Sequence, residues 1–285
     1  MSKEHGFLVI DKPGEITSHD VVAKLRKRLG TKQVGHAGTL DPMATGVLVV
    51  GINNATKFLQ YIVTGKKRYK ATIRLGISTV TDDKEGEVVS IRDWRTIEDA
   101  SIESALNDFR GTFMQVPSSV SAKKISGERA YDLVRAGKEV ELTPKEVTVY
   151  ELIILSIHRN EHLDIEIDVS CSAGTYIRSI ARDLGAALGV GGHLIELRRT
   201  EVEPFSLSEA GELEDSPVLP LADVISRVLP LRKLGHDEVA ELRFGRRIER
   251  SIQEGTVVGI GPNGEVAAIL ENREGRAQPV TVFNS

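Results

Sequence analysis

The stretch VTVYELIILSI (147–157), followed five residues later by LDIEIDVSC (163–171), decides the fold class. In the second run Leu163, Ile165, Ile167, Val169 and Cys171 alternate with polar residues. That is the period of a strand with one buried face, so Cys171 is expected in the core. Two long strands this close in sequence pair with each other, and so short a connection favours antiparallel pairing.

Working outward, GFLVID (6–11), residues 47–52 and the alternating run 68–75 also predict strands. Ser18 is a candidate N-cap for a helix with Val21, Val22, Leu25 and Leu29 on one side. A short helix is expected over 55–62. Thr96 with Asp99 resembles a capping box ahead of Ile102, Ala105, Leu106 and Phe109, with Gly111 ending that helix. Residues 176–188 suit a helix and 194–202 a strand. The order predicts an α+β fold with a mixed, largely antiparallel sheet flanked by helices.

Pro217, Pro220 and Pro230 mark a change of pattern. Short strands at 256–260, 265–271 and 278–283 predict a small β-rich C-terminal domain over 228–285, after a larger one over 1–227. Gly259, Gly261 and Gly264 form a GxGxxG pattern there. A dinucleotide loop needs a following helix and strand, and too little chain remains, whereas Pro262-Asn263-Gly264 is a turn signal. A hairpin is predicted. His158 and His162 lie on strand-like sequence without a metal motif.

With one cysteine in 285 residues, neither an intrachain disulfide nor a cysteine-based zinc site is available. No apolar run approaches a membrane span, and the charged start Met-Ser-Lys-Glu-His does not resemble a signal peptide. A cytoplasmic location is expected. The net charge of −4 speaks mildly against a nucleic-acid partner. Its distribution does not. Residues 1–80 carry 13 basic and 5 acidic side chains, a local surplus of +8 inside an acidic chain. Lys24, Arg26, Lys27 and Arg28, then Lys66, Lys67, Arg68 and Lys70, form clusters that suit either phosphate binding or ordinary solvated faces.

GHAGTLDPMATG (35–46) lies between the first helix and a buried strand. Its glycines permit close backbone approach, and Asp41 before Pro42 is biased towards an extended or turn geometry. Such a loop either presents a carboxylate to a substrate or closes a turn on itself. The residues alone leave both open.

The longer stretch GHAGTLDPMATGVLVVGINNATK (35–57) resembles the signature of the tRNA pseudouridine-55 synthases, the TruB family. VIDKPGEITSHDVV (9–22) is similar to the family's opening motif, KKRYKATIRLG (66–76) to its tyrosine strand, GTYIRSIARDLG (174–185) to its arginine motif, and GGHLIELRRTEVEPFSL (191–207) to its closing segment. The matches run in family order over roughly residues 6–210. The resemblance implies a pseudouridine synthase fold with a PUA-like C-terminal domain. It implies Asp41 as the catalytic aspartate, Tyr69 as the base-stacking and proton-transfer group, and Arg178 as the partner of the aspartate. It assigns RNA binding to His36, Lys57 and Tyr176, and makes Lys12 and Pro13 structural. Residues of about 120–145, with Lys123, Lys124 and Arg129, resemble the family's RNA-clamping insertion, and their glycines and charge predict incomplete order without RNA. VPSSVSAKK (116–124) departs from the family's usual VPP and Tyr-Ser-Ala pattern at Ser118 and Val120. Arg243, Arg246, Arg247 and Arg250 are candidates for a basic patch on the C-terminal domain.

The implied reaction breaks the N1–C1′ bond of a uridine in the TΨC loop of tRNA and forms C5–C1′. It needs no redox partner, so no cofactor and no metal are expected; nor are a membrane or a guide RNA, and the protein is expected to be a monomer. The target base must leave its stack to be reached. Asp41 can add to the ring, attack C1′ or remove a sugar proton, and the sequence does not choose among these. A planar Arg178 orients the carboxylate, and Tyr69 stacks on the flipped base and takes the C5 proton. The competing class is a tRNA-binding or folding protein on the same scaffold, with or without catalysis.

Overall fold

The strands Lys67–Leu75 and Leu163–Cys171 pair antiparallel along their full length, from Leu163 against Leu75 to Cys171 against Lys67. The computed structural model that shows this describes residues 4–118, 124–125, 128–129 and 143–283. In chain order, β1 (Gly6–Lys12), α1 (Ser18–Leu29), β2 (Val34–His36), β3 (Thr45–Ile52), a 3-10 turn (Asn53–Phe58), α2 (Leu59–Val63) and β4 (Lys67–Leu75) come first. The hairpin of β5 (Ile77–Thr79) and β6 (Val88–Ile91), α3 (Asp99–Asn107) and β7 (Gly111–Gln115) follow. Two-residue strands β8 (Lys124–Ile125) and β9 (Glu128–Arg129) precede β10 (Lys145–Arg159), β11 (Leu163–Cys171), α4 (Ile177–Ala187), β12 (Gly192–Val202) and β13 (Phe205–Ser206). The rest is β14 (Leu219–Pro220), α5 (Leu221–Ile225), β15 (Leu231–Lys233), α6 (His236–Arg243), β16 (Ile248–Glu249), β17 (Thr256–Ile260), β18 (Val266–Arg273) and β19 (Arg276–Val282).

The main sheet has the order β14-β1-β3-β12-β4-β11-β10-β7, with β2 added on β3 and β13 on β12. Its neighbours are antiparallel except β3 and β12, which meet in parallel through Thr45–Arg198 and Gly46–Arg199. This is the largely antiparallel α+β architecture expected from the strand pattern. Strict alternation in β4 sends Tyr69, Ala71, Ile73 and Leu75 to one face. There they pack with Ile165, Ile167, Val169 and Cys171 under α3 and α4. Cys171 is fully buried.

The second sheet runs β15-β17-β18-β19-β16. Gly261 and Gly264 lie in the hairpin between β17 and β18, as the turn signal predicts. Val258, Val266, Ile269 and Phe283 share a cluster with Phe7 and Val49 of the first sheet and Phe58 of the 3-10 turn. Phe58 and Phe283 stack with centroids 5.3 Å apart and rings 12° from parallel.

Two cap assignments are corrected. Thr17, not Ser18, caps α1, in a reciprocal box with Asp20. Thr96 does not cap α3, whose cap position is Glu98 without a side-chain bond. That helix ends at Asn107, and Gly111 instead opens β7 with φ +81°.

The charge clusters are partly structural, although Lys24, Lys27, Lys66 and Lys70 are exposed. Lys67 is buried, Arg68 pairs with Asp168 and Glu151, and Arg26 bonds the Val34 carbonyl. In the C-terminal segment Arg246, Arg247 and Arg250 pair with Glu241, Glu274 and Glu254 at 3.0, 2.6 and 2.5 Å. Three members of the expected basic patch are thus charge-matched. Among the described residues no helix is long and apolar enough to cross a membrane.

Candidate active site

Asp41 sits on the loop between β2 and β3, and buried polar groups hold that loop from below. The Ser18 hydroxyl donates to the Leu40 carbonyl at 3.0 Å and accepts from the Leu40 N–H at 2.8 Å. Freed from capping, Ser18 ties α1 to the residue before Asp41. The buried Lys12 ammonium donates to the carbonyls of Pro13, Ile16 and Pro42 at 2.8, 2.7 and 3.3 Å. Burial pulls its pKa down to about 8, although Asp41 works in the opposite direction. At the end of the loop Gly46 has φ +103°, and a Cβ there would lie 2.1 Å from the Arg199 carbonyl oxygen. Only glycine lets the loop join the sheet at that point.

Arg178 reaches Asp41 from the first turn of α4. Its Nε lies 3.1 Å from Asp41 Oδ2, and its Nη1 lies 3.2 Å from Asp83 Oδ2. Nη1 also donates to the Thr81 carbonyl at 2.9 Å and to Ser118 Oγ at 3.5 Å. The guanidinium is therefore a bridge between one carboxylate at the cavity and one in the interior. Ser118, a departure from the family pattern, is fully buried and supplies part of that support. The start of α4 is clamped by Gln115, whose amide donates to the Tyr176 carbonyl at 3.0 Å and accepts from its N–H at 2.8 Å.

Asp41, Tyr69, Tyr176 and Arg178 line one cavity of about 400 Å³, together with Lys67, Leu197 and Arg199. Tyr69 comes from β4, and burial pushes its phenol above the ordinary range. Asp41 is the most open of the three, its side chain 33% exposed against 6% for Arg178, and Tyr69 is 9% exposed. An ionised carboxylate braced by a guanidinium beside an aromatic ring suits a flat, uncharged ring that must be gripped and attacked.

The other expected site residues fall in three places. His36 lies near the loop, edge-on to His19 with centroids 5.6 Å apart. Burial, then the His19 and Arg199 charges, lower its pKa, and its buried Nδ1 has no hydrogen-bond partner. Lys57 is away from the cavity, its ammonium 4.7 Å from the centroid of the Phe283 ring. Lys123 lies outside the described residues, as do Val120 and most of the expected clamping insertion. Lys124 and Arg129 belong to the β8–β9 pair, and only their backbone is described.

Asp83, Lys67 and Arg199 escape a sequence reading for identifiable reasons. Asp83 sits in TDDKEG, which reads as a solvated acidic turn, yet it is 3% exposed. Arg199 is hidden by an irregularity between Leu194 and Glu196, which changes the facing of β12. Simple alternation from Leu194 would turn Glu196 and Arg198 inward. The irregularity puts Leu197 and Arg199 there instead.

Residues 26–177 match the family model described as TruB family pseudouridylate synthase (N terminal domain). Residues 178–219 match tRNA pseudouridylate synthase B C-terminal domain, and 229–284 match tRNA Pseudouridine synthase II, C terminal. The chain is 48% identical to tRNA pseudouridine synthase B of Thermobifida fusca (strain YX), covering 98% of both chains. It is 47% identical to the protein of that name from Arthrobacter sp. (strain FB24), covering 98% of this chain and 96% of the other. In fold it is similar to a chain of an archaeal box H/ACA sRNP crystal structure, with TM-score 0.70, 24% identity and coverage of 99% and 86%.

Proposed function

Because the chain belongs to the TruB family of pseudouridylate synthases, we propose that it is a tRNA pseudouridine synthase acting on uridine 55 of the TΨC loop. The observation that carries the reading is the meeting of Asp41, Arg178 and Tyr69 around one cavity, from a loop, a helix start and a strand. Three distant segments converge where a flipped base fits.

In this reading the uridine leaves its stack and enters the cavity against the Tyr69 ring. Arg178 fixes the Asp41 carboxylate in one orientation, so no conformational search precedes its action on the base or the sugar. The N1–C1′ bond breaks, the uracil turns, and C5–C1′ forms. The C5 proton then leaves and N1 gains one, so the isomerisation has no net proton or electron demand. Tyr69 is the group positioned for that exchange. His36, Tyr176, Lys57, Lys123, Lys124 and Arg129 are assigned to RNA contact. Residues 1–227 form the catalytic domain and 228–285 a PUA-like RNA-binding domain in this scheme.

The test is chemical mapping of pseudouridine after incubating the purified protein with a TΨC stem-loop transcript. Product at the loop uridine supports the reading. Tight binding without product supports an RNA-folding role instead, and absence of both binding and product contradicts both readings.

A further inference from the structure

Arg199 is 1% exposed, and among the described residues no carboxylate pairs with it. A buried, unpaired charge is expensive unless its hydrogen bonds are satisfied. Its Nε donates to the Val47 carbonyl at 2.7 Å, Nη2 to Gly38 at 3.1 Å, and Nη1 to Thr39 at 3.5 Å. Three of five N–H donors are thereby used. Arg199 and Tyr69 are direct partners in the antiparallel ladder of β12 and β4, so both side chains project from the same place on one face. Both side chains line the same cavity, and the guanidinium there opposes the rise that burial imposes on the phenol.

We propose that Arg199 is a positioning residue for Tyr69: its guanidinium donates to the phenol oxygen and turns the phenol's own proton into the cavity. Guanidinium has no acceptor, so the direction of that bond is fixed. Asp41 on the loop and Cys171 on β11 also act on the phenol, and Lys67, Lys145, Tyr176 and Arg178 line the same cavity. Cys171 stays a neutral thiol, pushed up to about 11 by burial. None of these replaces a donor held against the phenol oxygen.

The consequence rests on the synthase reading above. After C5–C1′ has formed, Tyr69 gives its proton to N1 and takes the C5 proton on the same oxygen, so the side chain ends as it began. Negative charge builds on the phenol oxygen between these transfers, and a fixed cation beside it lowers that cost. A clamp on the loop carbonyls alone would act on Asp41 and leave the phenol untouched.

Arg199→Gln and Arg199→Lys separate these roles. The first readout needs no RNA: the NMR resonance of the hydroxyl-bearing ring carbon of Tyr69 at neutral pH, assigned by its loss in Tyr69→Phe. It should move in both variants while the other tyrosines stay in place. An unmoved Tyr69 resonance in a folded variant overturns the proposal, whatever the protein does to tRNA. If Arg199→Gln does not fold, Arg199→Lys, which keeps the charge and loses the fork, decides alone. The second readout is the single-turnover rate, expected to fall at least about tenfold with tRNA affinity within about twofold. A resonance that moves without any loss of rate also overturns it. Failure of the wild-type protein to form pseudouridine would instead remove the synthase reading and leave the Tyr69 contact measurable.

Discussion

Arg178 Nε lies 3.1 Å from Asp41 Oδ2, and the same guanidinium is held from behind by Asp83 at 3.2 Å. The two contacts use different nitrogens of a planar group that is 5% exposed. A lysine ammonium carries three donors on a flexible stem and cannot span both carboxylates in that plane. Arg178→Lys is therefore expected to lower the single-turnover rate about a hundredfold, the scale of losing one preorganised electrostatic contact. Filter binding of tRNA should change by no more than about twofold. A loss of binding equal to the loss of rate would mean that Arg178 holds RNA rather than Asp41.

Ser18→Ala probes how the Asp41 loop is held. It removes both bonds to Leu40 at a fully buried position and leaves an N–H and a carbonyl without partners. The expected loss is about 1–3 kcal/mol in urea unfolding. Unchanged stability would show that the loop is anchored elsewhere.

The pH dependence follows from Lys12. Its folded pKa is lowered to about 8 from an ordinary 10.5, with burial the main cause. Below about pH 8 both folded and unfolded chains hold the proton, and the cost of burying the charged form is paid in full. Between about 8 and 10.5 the unfolded chain holds more protons, so this group's contribution to stability rises with pH. Lys67, also lowered to about 8 by burial, acts in the same direction. Unfolding free energies measured across that window should rise less steeply in Lys12→Met than in the wild type. Identical slopes would contradict the assignment.

Phe283→Ala tests the shared core of the two sheets. The ring is 6% exposed and stacked on Phe58. Its removal should cost about 3 kcal/mol in urea denaturation. A cost below about 1 kcal/mol would show that the C-terminal sheet does not lean on the first.

The alternation of Leu163 to Cys171 was enough to predict a half-buried central strand, because strand period and burial are the same signal there. Asp41, Tyr69 and Arg178 were legible through family resemblance, since no local pattern links residues so far apart in the chain. What stayed hidden was the supporting shell. Asp83 looks solvated in sequence, because nothing local says that Arg178 will cover it. Arg199 looks outward-facing, because an irregularity in β12 cannot be read from composition. Ser18 looks like a cap, since Thr17 and Ser18 are chemically alike and differ only by one position of register. Lys67 reads as part of a surface cluster, yet its ammonium is buried against the Val63 and Gly65 carbonyls.

The most direct measurement is pseudouridine formation by Asp41→Asn set beside its tRNA binding. Asparagine keeps the size of the side chain and removes the charge that faces Arg178. The account predicts no detectable pseudouridine in a stem-loop transcript that the wild type converts fully, with affinity within about threefold of wild type, or roughly 0.7 kcal/mol. Conversion by Asp41→Asn at the wild-type rate would contradict it.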